Sequence, residues 1–186
     1  RNGCGKSSLL RCVLGLDRPS VGRLRVFGHD PWRDRVLVLS RVGAVPETPN
    51  APSELTAPQL AALVRHFHAR WDDEATAKRL DRFEVPLATP FGRLSKGQQG
   101  AVMLALALGH SPELLVLDDP TLGLDVIAKE EIFAELIGDL AERGTTVLMS
   151  THEIGLAEGL ATHVGILANG GLMVCGEIES LKQERN

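Results

Sequence analysis

The sequence predicts an α/β fold: a mainly parallel sheet with helices on both faces, interrupted by an inserted helical segment. Three observations carry this reading. A glycine-rich turn, Asn2-Gly3-Cys4-Gly5-Lys6-Ser7, opens directly into an apolar helix over residues 9–14. Two apolar runs, 114–117 and 145–149, are too continuous for half-exposed strands and read as strands covered on both faces. Helical patterns alternate with these strands, which is the arrangement of a parallel sheet flanked by helices.

The opening turn matches the P-loop pattern G-x-x-x-x-G-K-[ST] from its second position onward. Gly3 and Gly5 permit backbone turns with positive φ, which aim successive N–H groups into a concavity suited to phosphate oxygens. Lys6 would reach the β- and γ-phosphates of a nucleotide and the Ser7 hydroxyl would sit on Mg²⁺. Ser8 continues the helix whose N-terminus faces the phosphates. The first glycine of the pattern would precede Arg1, and so would the strand that feeds the loop. The chain therefore reads as lacking its N-terminal strands, and the isolated fragment is expected to bind nucleotide weakly or to fold poorly, and to be inactive by itself.

The remaining elements follow in order. Arg23-Leu24-Arg25-Val26-Phe27 alternates polar and apolar and predicts a short strand, broken at Gly28-His29-Asp30-Pro31. Arg41-Val42-Gly43-Ala44-Val45 predicts a second, stopped by Pro46. Thr56 and Gln59 form a capping box, with Leu60, Leu63, Val64 and Phe67 at helical spacing behind it. Asp72 caps a further helix through Leu80 and Phe83. Ser95 and Gln98 make a second capping box, ahead of a helix apolar nearly all round over 101–108 and hence buried. Asp118-Asp119-Pro120 ends the 114–117 run. Asp125 caps a helix with Ile132, Phe133, Leu136, Ile137 and Leu140 inward, ended by Gly144. Residues 164–167 and 172–175 flank Asn169-Gly170-Gly171 as a hairpin. The predicted organisation is a P-loop ATPase core over 1–46 and 109–186, with a remnant of antiparallel strands near 22–45, and a helical subdomain over 47–108.

Composition narrows the function classes. A net charge of −4 without a Lys/Arg run gives no footprint for nucleic acid. The longest apolar stretch, 101–108, is too short to span a bilayer. Cys4, Cys12 and Cys175 form no C-x-x-C pair, so neither a disulfide scaffold nor a cysteine metal site is expected.

Asp118 closes a buried strand, where ligand chemistry sits in open α/β sheets, and would hold Mg²⁺ directly or through water. Asp119 follows at the position for polarising an attacking water.

Together these segments resemble the ATPase subunit of ATP-binding cassette (ABC) transporters over essentially the whole chain. The family order of P-loop, Q-loop, signature, Walker B, D-loop and H-switch is met in turn. It appears as Asn2-Gly3-Cys4-Gly5-Lys6-Ser7, Val45-Pro46-Glu47, Leu94-Ser95-Lys96-Gly97-Gln98, Leu115-Val116-Leu117-Asp118-Asp119-Pro120, Gly123-Leu124-Asp125 and Ser150-Thr151-His152. The resemblance implies ATP and Mg²⁺ as cofactors and two cassettes paired head to tail, as a homo- or heterodimer. Each ATP would lie between the P-loop of one cassette and Ser95, Lys96, Gly97 and Gln98 of the other. It implies that Asp119, His152 and Glu47 serve hydrolysis, His152 contacting the γ-phosphate and attacking water, and that Ser7, Glu47 and Asp118 surround Mg²⁺. It further implies a separate transmembrane permease, with this subunit at the cytoplasmic face of the membrane. Ser95 and Gln98 also cap their own helix, and the two roles are compatible. Asp125 either couples the two sites or is a plain helix cap.

Three residues depart from the family pattern. Glu47 replaces a glutamine, Lys96 replaces the first signature glycine, and Asp119 replaces the catalytic glutamate. The last implies slow hydrolysis. Pro46-Glu47 together with the signature looks more like bacterial exporter-type cassettes than importers. The aromatic residue on which the family stacks adenine would lie upstream of Arg1; Phe27 and Trp32 are downstream. Two other functions compete: a soluble ABC ATPase without a permease, and an ATP-dependent clamp that hardly hydrolyses.

Overall fold

The structure, a computed structural model, describes residues 3–120, 137, 140, 143–152, 155, 159 and 161–183. Asn2, the Gly123-Leu124-Asp125 segment, and Ile132, Phe133 and Leu136 of the helix expected behind it lie outside the described residues.

Three strands, β1 (Val42–Val45), β2 (Leu114–Asp118) and β3 (Thr146–Ser150), form a parallel sheet in the order β1-β2-β3. Strand periodicity sorts the apolar side chains of β1 and β2 onto its two faces. Val42, Leu114 and Val116 pack on one side with Leu10 and Val13 of α1 (Lys6–Val13) and Val38 of α2 (Arg35–Leu39). Val45, Leu115 and Leu117 pack on the other with Leu104, Ala107 and Leu108 from α5 (Lys96–Ala107) and its end, and with Leu140. Helices thus cover both faces, as the alternation of the sequence requires. Gly43 lets α5 approach β1, since a Cβ there would stand 2.4 Å from the Ala107 carbonyl oxygen.

Between β1 and β2 the chain forms α3 (Ala57–Arg65), α4 (Asp73–Arg82), a 3₁₀ turn at Phe91–Arg93, and α5. Their apolar faces make a cluster of their own around Leu60, Leu80, Val85, Phe91, Val102 and Leu106. The caps fall where the sequence puts them. The Gln59 side chain accepts from the Thr56 N–H (2.9 Å), and Asp72 accepts from the Ala75 N–H (2.8 Å). Ser95 and Gln98 cap reciprocally, at 3.1 and 3.2 Å. The Thr145 N–H donates to the Leu140 carbonyl (2.8 Å) across Gly144 at φ 75°, the closure that ends a helix. Beyond β3, β4 (His163–Ala168) and β5 (Gly171–Glu177) pair antiparallel through Asn169 and Gly170, and a short α6 (Ile178–Gln183) follows.

Several expectations are corrected. Residues 23–27 form no strand: Val26 makes only an isolated antiparallel bridge to His29, because Phe27 (φ 52°) and Gly28 (φ 81°) reverse the chain at once. That bridge is the only antiparallel pairing among the described residues of 22–45, and β1 itself runs parallel to β2. The stripe on α3 is narrower than its spacing suggests. Leu60 is buried, whereas Leu63 is exposed and Phe67, past the helix end at Arg65, is 77% exposed. β3 is less covered than its apolar run implies, since it stands at one edge of the described sheet and Leu148 remains exposed. Neither α2 nor α6 was legible as a helix, both being short and without a strong cap signal.

One buried polar group sets a pH response. His110, just beyond α5 and 8% exposed, stacks on His68 with ring centroids 3.9 Å apart. Burial pushes the His110 imidazole down to about 4, the charge of His68 adds to the push, and burial lowers His68 as well. The unfolded chain therefore binds protons here that the folded one refuses. This contribution to stability is complete above pH 6.5 and is lost as pH falls towards about 4. Allowing for solvent screening, the expected loss is about 2 kcal/mol. Urea unfolding of the full-length protein between pH 7 and pH 4 should show His110→Phe losing less stability than wild type by that amount. Parallel pH profiles would exclude the stacked pair as a determinant.

Candidate active site

Gly3 (φ 83°) and Gly5 (φ 102°) both adopt the backbone geometry the P-loop reading requires, and α1 begins immediately after them. α1 has neither a side-chain cap nor an acidic residue in its first turn, whereas α4 and α5 are capped by Asp72 and Ser95. The start of α1 thus carries neither an N-cap side chain nor an acidic residue of its own, which suits the binding of a phosphate there. Lys6 Nζ lies 3.8 Å from the sulfur of the buried Cys4. Ser7 is half-buried and Ser8 exposed. Leu10 and Val13 fasten this helix to the sheet through Val42, Leu114 and Val116.

The strand register brings the other half of the site together. Val45 pairs with Leu117 and Asp118 with Ser150, so the three parallel strands finish along one edge. There the Ser150 hydroxyl donates to Asp118 Oδ1 (2.6 Å). The Asp119 N–H donates to the Ser150 carbonyl and to its Oγ, both at 3.0 Å. Asp119 takes up φ 43°, a left-handed conformation that costs most residues about 1–2 kcal/mol and that aspartate tolerates better than most. In that conformation its carboxylate meets His152 Nδ1, at 2.8 and 3.0 Å. A carboxylate only accepts hydrogen bonds, so Nδ1 carries the proton. The Asp119 side chain is 17% exposed and that of His152 53%, so the carboxylate is sheltered behind an accessible imidazole.

Glu47, two residues past β1, is exposed and makes none of these hydrogen bonds. Among the described residues no three His, Cys, Asp or Glu side chains gather as a ready cation site. Mg²⁺ in nucleotide sites is commonly held by one or two protein oxygens and completed by substrate phosphates. Ser7 and Asp118 supply oxygen donors of the right kind.

Ser95 and Lys96 are exposed at the start of α5, and Gly97 and Gln98 half-buried. α5 has 12 residues and is about 18 Å long, and its other end docks on β1. The structure joins Asp118, Asp119, Ser150 and His152 in one hydrogen-bonded group, and among the described residues none of those hydrogen bonds reaches 95–98. Sequence reasoning saw Ser150 only as part of the Ser150-Thr151-His152 motif. The available signal was a serine closing one apolar run opposite an aspartate closing its neighbour.

A P-loop turn on an α1-like helix, acids at the end of the central strand and a helical insertion define a nucleotide-binding α/β cassette, and comparisons give the class its family. The family model described as ABC transporter matches residues 1–122. The bacitracin transport ATP-binding protein BcrA of Bacillus licheniformis is 35% identical over 176 residues, 93% of this chain and 57% of its own length. The Nod factor export ATP-binding protein I of Sinorhizobium fredii is 38% identical, over 99% of this chain and 55% of its own length. A solved structure described as the ATP binding subunit of an ABC transporter superposes with a TM-score of 0.87 at 27% identity, covering 100% of this chain and 79% of that one. This chain belongs to the ABC transporter family. It spans a little over half the length of these two curated relatives.

Proposed function

We propose that this chain is the ATP-binding and hydrolysing part of an ABC transporter subunit, in which ATP-driven closure of two cassettes powers a separate membrane permease. The observation that carries the reading is the Asp119–His152 pair, held at the end of β2. Gly3, Cys4, Gly5, Lys6, Ser7 and Ser8 would cradle the triphosphate, together with Asn2, which lies outside the described residues. Ser7, Glu47 and Asp118 would hold Mg²⁺, which when bound neutralises phosphate charge. Asp119 accepts a proton from the attacking water. His152, oriented by Asp119 through Nδ1, presents Nε2 towards the γ-phosphate.

The 95–98 turn belongs to a composite site completed by a second cassette. The exposure of Ser95 and Lys96 at the start of α5 supports this arrangement. The helical cluster around Leu80 and Val102 supports treating 47–108 as a subdomain, with 1–46 and 109–186 as the core. No helix among the described residues is long and apolar enough to cross a membrane; the proposed place of the subunit, on the cytoplasmic face, follows from the permease partnership. The likeness to the Nod factor export ATP-binding protein I favours export over import. Co-purification with a multi-span membrane protein, and stimulation of ATP turnover by it, would test the transport reading. A full-length protein that turns over ATP alone and recruits no membrane protein would point to a soluble ATPase.

Hydrolysis is slow in this account. Asp119 is one methylene shorter than the family's glutamate, and Pro120 restricts the turn behind it. Misplacing a base by roughly 1 Å can cost about 10²-fold. Asp119→Glu in the full-length dimer should raise turnover several-fold with little change in ATP affinity. Phosphate release at saturating Mg-ATP reads this out, and a mutant no faster than its parent would refute slowness from this cause.

A further inference from the structure

Ser150 is the only residue of β3 that is fully buried, 7% exposed, and it is polar. A buried hydroxyl without partners would be destabilising by about 1–3 kcal/mol, and an alanine or valine would suit the strand better. Here the hydroxyl hydrogen-bonds to both acids. It donates its one proton to Asp118 Oδ1 (2.6 Å) and accepts from the Asp119 N–H (3.0 Å). We propose that Ser150 is a positioning residue for hydrolysis, which orients the Asp118 carboxylate towards the cation and holds the Asp119 backbone in the turn that meets His152.

The proposal rests on the ATPase reading given above. Pinning Oδ1 of Asp118 leaves its second oxygen for Mg²⁺. Partners behind a metal ligand commonly set its affinity by about 10–100-fold. The same hydroxyl helps fix the φ of 43° at Asp119, and through it the direction of the carboxylate towards His152. Cation binding and placement of the base are thus joined through a single side chain on the neighbouring strand.

The test uses full-length protein with Mn²⁺ as the probe, titrated by paramagnetic resonance in the presence of a non-hydrolysable ATP analogue, alongside steady-state kinetics. Ser150→Ala should weaken Mn²⁺ binding by about tenfold or more. It should also lower kcat about tenfold while KM for ATP moves less than about twofold. Ser150→Thr, which keeps the hydroxyl, should restore both. Where Ser150→Ala does not fold, Ser150→Cys, of similar size but a weak donor, should show the same losses. Mn²⁺ affinity and kcat within about twofold of wild type in the alanine variant, or equal losses in alanine and threonine variants, would overturn the assignment. A wild-type protein that binds Mn²⁺ no better with the analogue than without it would instead overturn the ATPase reading and this inference with it.

Discussion

Asp119→Asn is expected to lower ATP turnover by roughly 10²- to 10⁴-fold, the contribution of a positioned general base, and to let the ATP-bound dimer accumulate. The carboxylate oxygens stand 2.8 and 3.0 Å from His152 Nδ1. Asparagine can still accept that hydrogen bond through its amide oxygen, so the pair should stay assembled. It cannot take a proton from water, so chemistry stops after binding. The Asp119 N–H bonds to Ser150 involve the main chain and survive the substitution. Phosphate release at saturating Mg-ATP measures the loss, and size-exclusion chromatography detects the trapped dimer. Undiminished turnover would remove Asp119 from the mechanism.

The second large effect separates the two halves of the composite site. Lys6→Ala should weaken ATP binding itself by about 10–100-fold, the range for a hydrogen bond to a charged group. Ser95→Arg should leave binding to the P-loop largely intact while blocking dimerisation and turnover, because a bulky cation would occupy the exposed turn at the start of α5. Loss of the Ser95 cap costs about 1 kcal/mol, too little to unfold a helix with a buried apolar face. Mixed together, the two variants should regain part of the activity, since one composite site then pairs an intact P-loop with an intact signature. A mixture in which mixed dimers form but remain as inactive as each variant alone would contradict the head-to-tail arrangement.

Much of this could be read from sequence because the informative features are local. Gly5-Lys6-Ser7 before an apolar helix, the Ser95/Gln98 box, the apolar run into Asp118 and the Asn169-Gly170 turn each state their geometry within a few residues, and the structure has all of them. The failures involve partners distant in sequence. Residues 23–27 alternate like a strand, yet no described segment continues the pairing beyond Val26 and His29. Leu63 and Phe67 keep helical spacing, but where α3 turns its face depends on what packs beside it. At the site, each acid could be named from its strand. The hydrogen bonds between Ser150 and the two acids cross 31 and 32 residues and depend on the β2–β3 register. The contact of His152 with Asp119 spans 33 residues and needs the left-handed turn at Asp119. Departures from a family motif, such as Asp119, identify where to look but not how the backbone responds.

Single-turnover cleavage of ATP by the full-length protein separates hydrolysis from mere binding. With enzyme in excess over ATP, Mg²⁺-dependent release of phosphate is expected in one exponential phase, slow for the family and blocked in Asp119→Asn. ATP that binds but is recovered intact, with or without Mg²⁺, would contradict that expectation and make the protein a nucleotide-dependent clamp.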